Sequence, residues 1–170
     1  MSDTGKVNAN LTIGTQGSAS MSANSITSAV SNSGNLSLSG GTVSKAISGS
    51  GTTTLKGNTT NNAGINQGVN VNSGVTLTNN AALGSDNGKI TNAGTINTNA
   101  NNIKGAVTNN NALNLSGGTL SKAVSGSGTT TISANATNNG GISQKVNVNS
   151  GVTLTNNAAL GSDSGVVTNS

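Results

Sequence analysis

Three segments of this chain occur twice at one fixed offset. Ser39-Gly40-Gly41-Thr42 returns as Ser116-Gly117-Gly118-Thr119, and the run from Ser48 to Thr54, SGSGTTT, returns from Ser125 to Thr131. The longest, Asn70 to Asp86, NVNSGVTLTNNAALGSD, returns unchanged from Asn147 to Asp163. All three share the same displacement and define a 77-residue unit. A long repeat of this fidelity is the signature of a chain built by stacking like units, each needing its neighbours to bury its apolar side.

The 77-residue unit divides again at its glycine turns. Val107–Gly126, Ser127–Lys145 and Val146–Gly165, preceded by Lys89–Ala106, have lengths of 20, 19, 20 and 18 and tile the repeat without remainder. The earlier copy starts near Val30 and tiles alike through Gly49, Gly68 and Gly88. The expected organisation is an irregular first coil or edge over residues 1–29, then a solenoid over 30–170 with four coils per repeat. Val166–Ser170 opens a coil that is left incomplete.

Within each unit the apolar residues alternate with polar ones, as in Leu113-Asn114-Leu115-Ser116 and Val152-Thr153-Leu154-Thr155. Period two places one set of side chains on one face of a strand. Helical spacing is absent, and the density of Gly and Asn opposes helix. Three apolar stations per unit predict three short strands per coil. The fold class is therefore all-β, a triangular, single-stranded parallel β-helix (β-solenoid) in which each strand pairs with its equivalent one coil away. Expected core residues are Leu36, Leu38, Val69, Val71, Val75, Leu77, Ile90, Ile96, Ile103, Leu113, Leu115, Leu120, Val146, Val148, Val152 and Leu154. Paired asparagines mark corresponding turns: Asn61-Asn62 with Asn138-Asn139, and Asn79-Asn80 with Asn156-Asn157. Two readings apply to them: turn residues tolerant of left-handed backbone angles, or side-chain ladders along the stack. At about 4.8 Å per coil, roughly eight coils make a rod about 38 Å long.

Composition bounds the chemistry. The chain has no His, Cys or aromatic residue, and its charges are seven lysines and three aspartates, net +4. Thiolate or imidazole metal sites, Cys–His and Ser–His–Asp catalysis, and aromatic base-stacking platforms have no material. No catalytic residue, metal site or cofactor is expected, and the groove of acidic and basic groups that sugar-cleaving β-helices use has no source here. The lysines are scattered, which argues against nucleic acid as a partner. No apolar run is long enough to span a membrane. The start, Met1 to Lys6, has no apolar segment of the kind that secretory signals carry.

Individual residues have modest readings. Asp86 and Asp163, four coils apart, are too distant to act as a pair and sit in Gly-Ser-Asp turns. Lys45 and Lys122, both in Ser-Lys-Ala, read as surface lysines. Thr76/Thr78 and Thr153/Thr155 would face outward in pairs, the pattern of an ice-binding face, with Ser37/Ser39, Thr54/Lys56, Thr95/Asn97 and Asn114/Ser116 as neighbouring rows. Such a face would be mixed and interrupted by Lys56.

Coils such as Asn149-Ser150-Gly151-Val152-Thr153-Leu154 and Thr91-Asn92-Ala93-Gly94-Thr95-Ile96-Asn97 resemble those of autotransporter passenger domains and filamentous-haemagglutinin-like surface adhesins. The resemblance covers nearly the whole chain and is one of repeat style. It implies a right-handed β-helix, export to the bacterial surface or outside, and an adhesive or stalk role. The translocator barrel of those families has no counterpart here. Two functions are expected to compete: a non-catalytic segment of a longer surface rod, favoured by the incomplete last coil, and a filament subunit that stacks end to end. The receptor is not specified by the sequence.

Overall fold

The computed structural model describes residues 2–3, 5–161 and 165–170. The chain winds as a parallel β-solenoid of about 9 turns, with almost no helix. Each turn crosses three faces. Face I carries Leu11–Ile13, Val30–Asn32, the start of Ile47–Leu55 and of Ile65–Val71, Leu83, Ile103, Gly118–Leu120, Ala136–Asn138 and Leu154–Asn156. Face II carries Ser18–Met21, Asn35–Leu38, the second halves of Ile47–Leu55 and Ile65–Val71, then Ile90–Asn92, Val107–Asn109 and the starts of Val124–Ile132 and Ile142–Val148. Face III carries Gly41–Val43, Thr59–Asn61, Thr76–Asn79, Thr95–Thr98, Ala112–Leu115, the ends of Val124–Ile132 and Ile142–Val148, and Val167–Asn169.

Every strand pairing is parallel and a residue column runs along each face, although the pairings of Ile47–Leu55 with Ile65–Val71 and of Val124–Ile132 with Ile142–Val148 shift register at the corner between two faces. On face II the inward column reads Ala19, Leu36, Thr53, Val69, Ile90, Val107, Val124, Ile142. The step between paired residues is 17 to 19 at most positions, for instance Leu77 to Ile96 and Ile96 to Leu113, and 21 at Val69 to Ile90. The wider step accommodates the Gly84–Lys89 excursion at the corner from face I to face II.

Four coils per repeat would bring 77-residue equivalents back to one face. The register places them otherwise. Val124, the equivalent of Ile47, belongs to the column of Thr53, on the next face of the strand that begins at Ile47. Likewise Leu113, the equivalent of Leu36, belongs to face III, and Leu120, the equivalent of Val43, to face I. The 77-residue unit is thirteen face-lengths, four turns and one face, so the second copy is rotated by a third of a turn. Residues counted at one apolar station of a unit also part company: Leu120 lies on face I and Val124 on face II. Within residues 1–29, Leu11–Ile13 and Ser18–Met21 join the stack, with Val7 paired to Ile26.

The core is the narrow column enclosed by the three faces. Leu36, Leu38, Val69, Val71, Val75, Leu77, Ile90, Ile96, Ile103, Leu113, Leu115, Leu120, Val146 and Val148 are all buried there. Val152 and Leu154 are only partly buried, because no turn covers theirs among the described residues. Ile47, Leu55, Ile65, Leu83 and Ile132 are among the further residues buried in the same column, outside the expected set. Sharp corners need glycine for lack of room. A Cβ on Gly34 would stand 2.2 Å from the Gly17 carbonyl oxygen, and one on Gly51 2.4 Å from that of Gly34.

Candidate functional site

Two sets of polar groups have enough order to act: amide ladders inside the rod and hydroxyl and amide columns outside it. The paired asparagines divide between them. Asn61 and Asn79 are buried, and Asn61 Nδ2 donates to Asn79 Oδ1 at 2.6 Å while Asn79 Nδ2 donates to Thr98 Oγ1 at 2.9 Å. Their neighbours point outward, where Asn80 Nδ2 donates to Asn62 Oδ1 at 2.9 Å. The second copy repeats both arrangements, Asn138 to Asn156 at 2.7 Å and Asn157 to Asn139 at 2.9 Å. Asn138 is buried and Asn156 exposed, again with no covering turn among the described residues.

The structure corrects the turn reading of these residues. Among the described residues no non-glycine has positive φ. Asn61 and Asn138 shape their corners through the side chain, each accepting from a backbone N–H three residues on, Gly64 and Gly141, at 2.9 Å. The glycine carries the left-handed angle, φ 105° at Gly64 and 88° at Gly141.

Sequence reasoning missed a further inward network. Asn32, Thr53 and Gln67 are buried together, as are their equivalents Asn109, Thr130 and Gln144. The amide orientation of Gln67 follows from its partners: its nitrogen donates to the Asn32 carbonyl at 3.1 Å, and its oxygen accepts from Asn32 Nδ2 at 2.8 Å. Gln144 does the same with Asn109, at 3.1 and 2.9 Å. Asn92 Nδ2 donates to Asn109 Oδ1 at 2.7 Å, extending the ladder. The signal that could have located these residues is a 77-residue match of Gln at a place where alternation requires an inward side chain.

The exterior of face III is a continuous column: Thr42, Thr60, Thr78, Asn97, Asn114, Thr131, Asn147 and Thr168. Asn114 Nδ2 donates to Asn97 Oδ1 at 2.8 Å on it. Beside it run Thr76, Thr95, Ala112, Thr129 and Lys145. The expected neighbours of Thr76/Thr78 are partly displaced. Ser37 and Thr54 pair on face II, so Lys56 does not interrupt this face, while Thr155 stands on face I in register with Thr137. The column is mixed Thr and Asn, an array of neutral donors and acceptors at the strand spacing of about 4.8 Å.

The charged feature is the Gly84–Lys89 corner. Asp86 forms an ion pair with Lys122, which sits at the equivalent corner two turns on. The Lys122 hydrogen bond, reinforced by its charge, lowers the Asp86 pKa below the ordinary aspartate value. The groove between them is lined by Asn66, Ser85, Lys104, Thr119 and Ser121. It is shallow and open, and one paired carboxylate with lysines offers positioning rather than acid–base chemistry. Lys45 is exposed, and Asp163 lies outside the described residues. No helix among the described residues is long and apolar enough to cross a membrane.

No family model, curated protein or solved structure matches this chain.

Proposed function

We propose that this chain is a non-catalytic structural rod whose work is geometric: it sets a distance and displays neutral polar columns along its length. The observation that carries this reading is the continuous parallel stacking, in which each turn is both template and lid for the next, so that length is the property the sequence repeats. Exposed Thr, Ser and Asn columns supply lateral contact, and the style of the coils, similar to surface adhesins, favours a stalk or adhesive role outside a bacterial cell. The lack of His, Cys and Glu leaves little from which to assemble an enzyme site.

The test is to insert a third 77-residue unit in frame and measure length by small-angle scattering. A spacer rod lengthens by four and a third turns, about 21 Å at the strand spacing, with its cross-section unchanged. A particle that thickens instead, or loses its β-structure, contradicts the proposal. Beads coated with the wild-type chain and with face III variants such as Thr78→Lys test the adhesive role; it predicts retention on a bacterial or host-cell surface that the lysine variant weakens, and equal retention with uncoated beads opposes it.

A further inference from the structure

Leu154, Leu160 and Val167, whose turn no further turn covers among the described residues, have counterparts in the interior of the rod. Asn147–Asp163 repeats Asn70–Asp86 without change, yet the two stand in different settings. Leu77, Leu83 and Ile90 are fully buried, whereas Leu154 and Leu160 are partly buried and Val167 is 43% exposed. Together with Val148, Val152, Thr153 and Asn169 these three line a shallow recess of mixed polar and apolar character. What covers the interior surface is known: Thr95–Thr98, the short 3-10 turn Ala100–Asn102, Ile103 and Val107–Asn109.

The chain holds a second segment of that form. One 77-residue unit earlier stand Ser18–Met21, the 3-10 turn Ala23–Ser25, Ile26 and Val30–Asn32. Both 3-10 turns begin alike, with the Ser22 or Asn99 side chain accepting from the backbone N–H two residues on, at 3.2 and 3.0 Å. The underside of this earlier segment is occupied by the chain's own first strands: Ser2 pairs with Ser20, Val7 with Ile26 and Leu11 with Val30. Val7 and Leu11 are themselves only partly buried, whereas Ile26 and Val30 above them are as buried as Ile103 and Val107 are above Leu83 and Ile90.

We infer that the last turn of one copy docks beneath residues 18–32 of a second copy, displacing that copy's residues 2–13, in the register already present between residues 77–92 and 95–109. Leu154 then lies under Ala19 of the second copy, Leu160 under its Ile26 and Val167 under its Val30. Asn169 meets Asn32 of the second copy as Asn92 meets Asn109. The joint continues the turn-on-turn interface that runs through the molecule, and its driving force is apolar burial plus a parallel backbone ladder. Residues 2–13 act as a removable plug that holds the chain back from assembly. Successive copies are related by two 77-residue units, eight and two-thirds turns, giving a rise of about 42 Å and a rotation of 120° in magnitude. This inference rests on the rod reading and adds a partner and a register to it.

The test uses the full 170-residue chain in sedimentation velocity and cryo-electron microscopy, with circular dichroism and scattering to establish the monomer's shape. Wild type is expected to form linear assemblies that lengthen with concentration and show the rise and rotation above. Leu11→Asp, which loosens the plug, should lower the concentration needed at least threefold. Val167→Lys, at an exposed position, should abolish assembly while leaving the β-spectrum intact. Rod-shaped monomers at every concentration, in wild type and Leu11→Asp alike, overturn the inference and leave the rod reading standing. Fibres of another rise or rotation also overturn it. A particle that is not a rod overturns both.

Discussion

Asn79 and Asn156 have the same seven neighbours on either side in sequence and opposite fates in the fold. Asn79 is buried between Asn61 and Thr98 and satisfies both with its amide, while Asn156 is exposed above Asn138. Removing one partner from a buried ladder leaves the others without a bond, at about 1–3 kcal/mol. Asn79→Ala is therefore expected to lower stability by that amount and Asn156→Ala by under about 0.5 kcal/mol, in the range of ordinary surface changes. Urea unfolding of the two variants checks this, and equal losses would show that the ladder contributes nothing specific. Asp86 gives a second expectation at this scale. Lys122 depresses its pKa, so the ion pair is complete above the ordinary aspartate range and is lost as pH falls through the lowered value. NMR titration should place Asp86 below ordinary aspartate and return it on Lys122→Met; an unmoved midpoint in the variant would remove the pair as the cause.

The face of a strand is legible in alternation, and the buried members of the expected core follow from it directly. What alternation cannot supply is the identity of polar residues that point inward. Gln67 stands opposite the Gly49-Ser50-Gly51 corner, where the register with the turn before it shifts, and its long amide reaches Asn32 one turn further away, as that of Gln144 reaches Asn109. That dependence crosses turns and is invisible within a single unit. Leu83 escapes a reading by alternation for a related reason. It is an isolated apolar residue between Ala82 and Gly84, with no strand of its own, and only its bridges to Ile65 and Ile103 bring it into the column.

Corners decide whether elements can stack. Gly34 has the carbonyl oxygens of Gly17 and Gly14 at 2.2 and 2.4 Å from where a Cβ would stand, and these are backbone atoms of the turn before it. Gly14, at a corner of the first turns, has nothing within 4 Å. Gly34→Ala should force the turns apart and lower the melting temperature markedly. Gly14→Ala should be neutral or stabilise by about 0.4–1 kcal/mol through the unfolded chain. Thermal unfolding distinguishes them, and a harmless Gly34→Ala would mean the turns are not stacked at contact distance.

At the scale of the molecule, the repeat length and the turn length are incommensurate. One 77-residue unit is four turns and one face, so features on the unit are displayed on a three-fold screw along the rod. Tiling by glycine positions divides the unit into four near-equal parts, each on average longer than one circuit. The paired strands more often step by 17 to 19, and the difference accumulates to a third of a turn. Local sequence marks where corners are. How many corners make a closed circuit is settled by pairing between turns, which no one unit contains.

Because the chain has no cysteine, spin labels can be placed in pairs and their separation read by pulsed electron resonance. Thr54 and Ser125 share an exterior column of face II four turns apart, whereas Ser48 and Ser125 are 77-residue equivalents on adjacent faces. Stacked parallel turns require a narrow distribution for Thr54–Ser125, with the backbones about 19 Å apart, and a longer distance for Ser48–Ser125. A shorter Ser48–Ser125 distance, or broad distributions for both, would contradict the winding described.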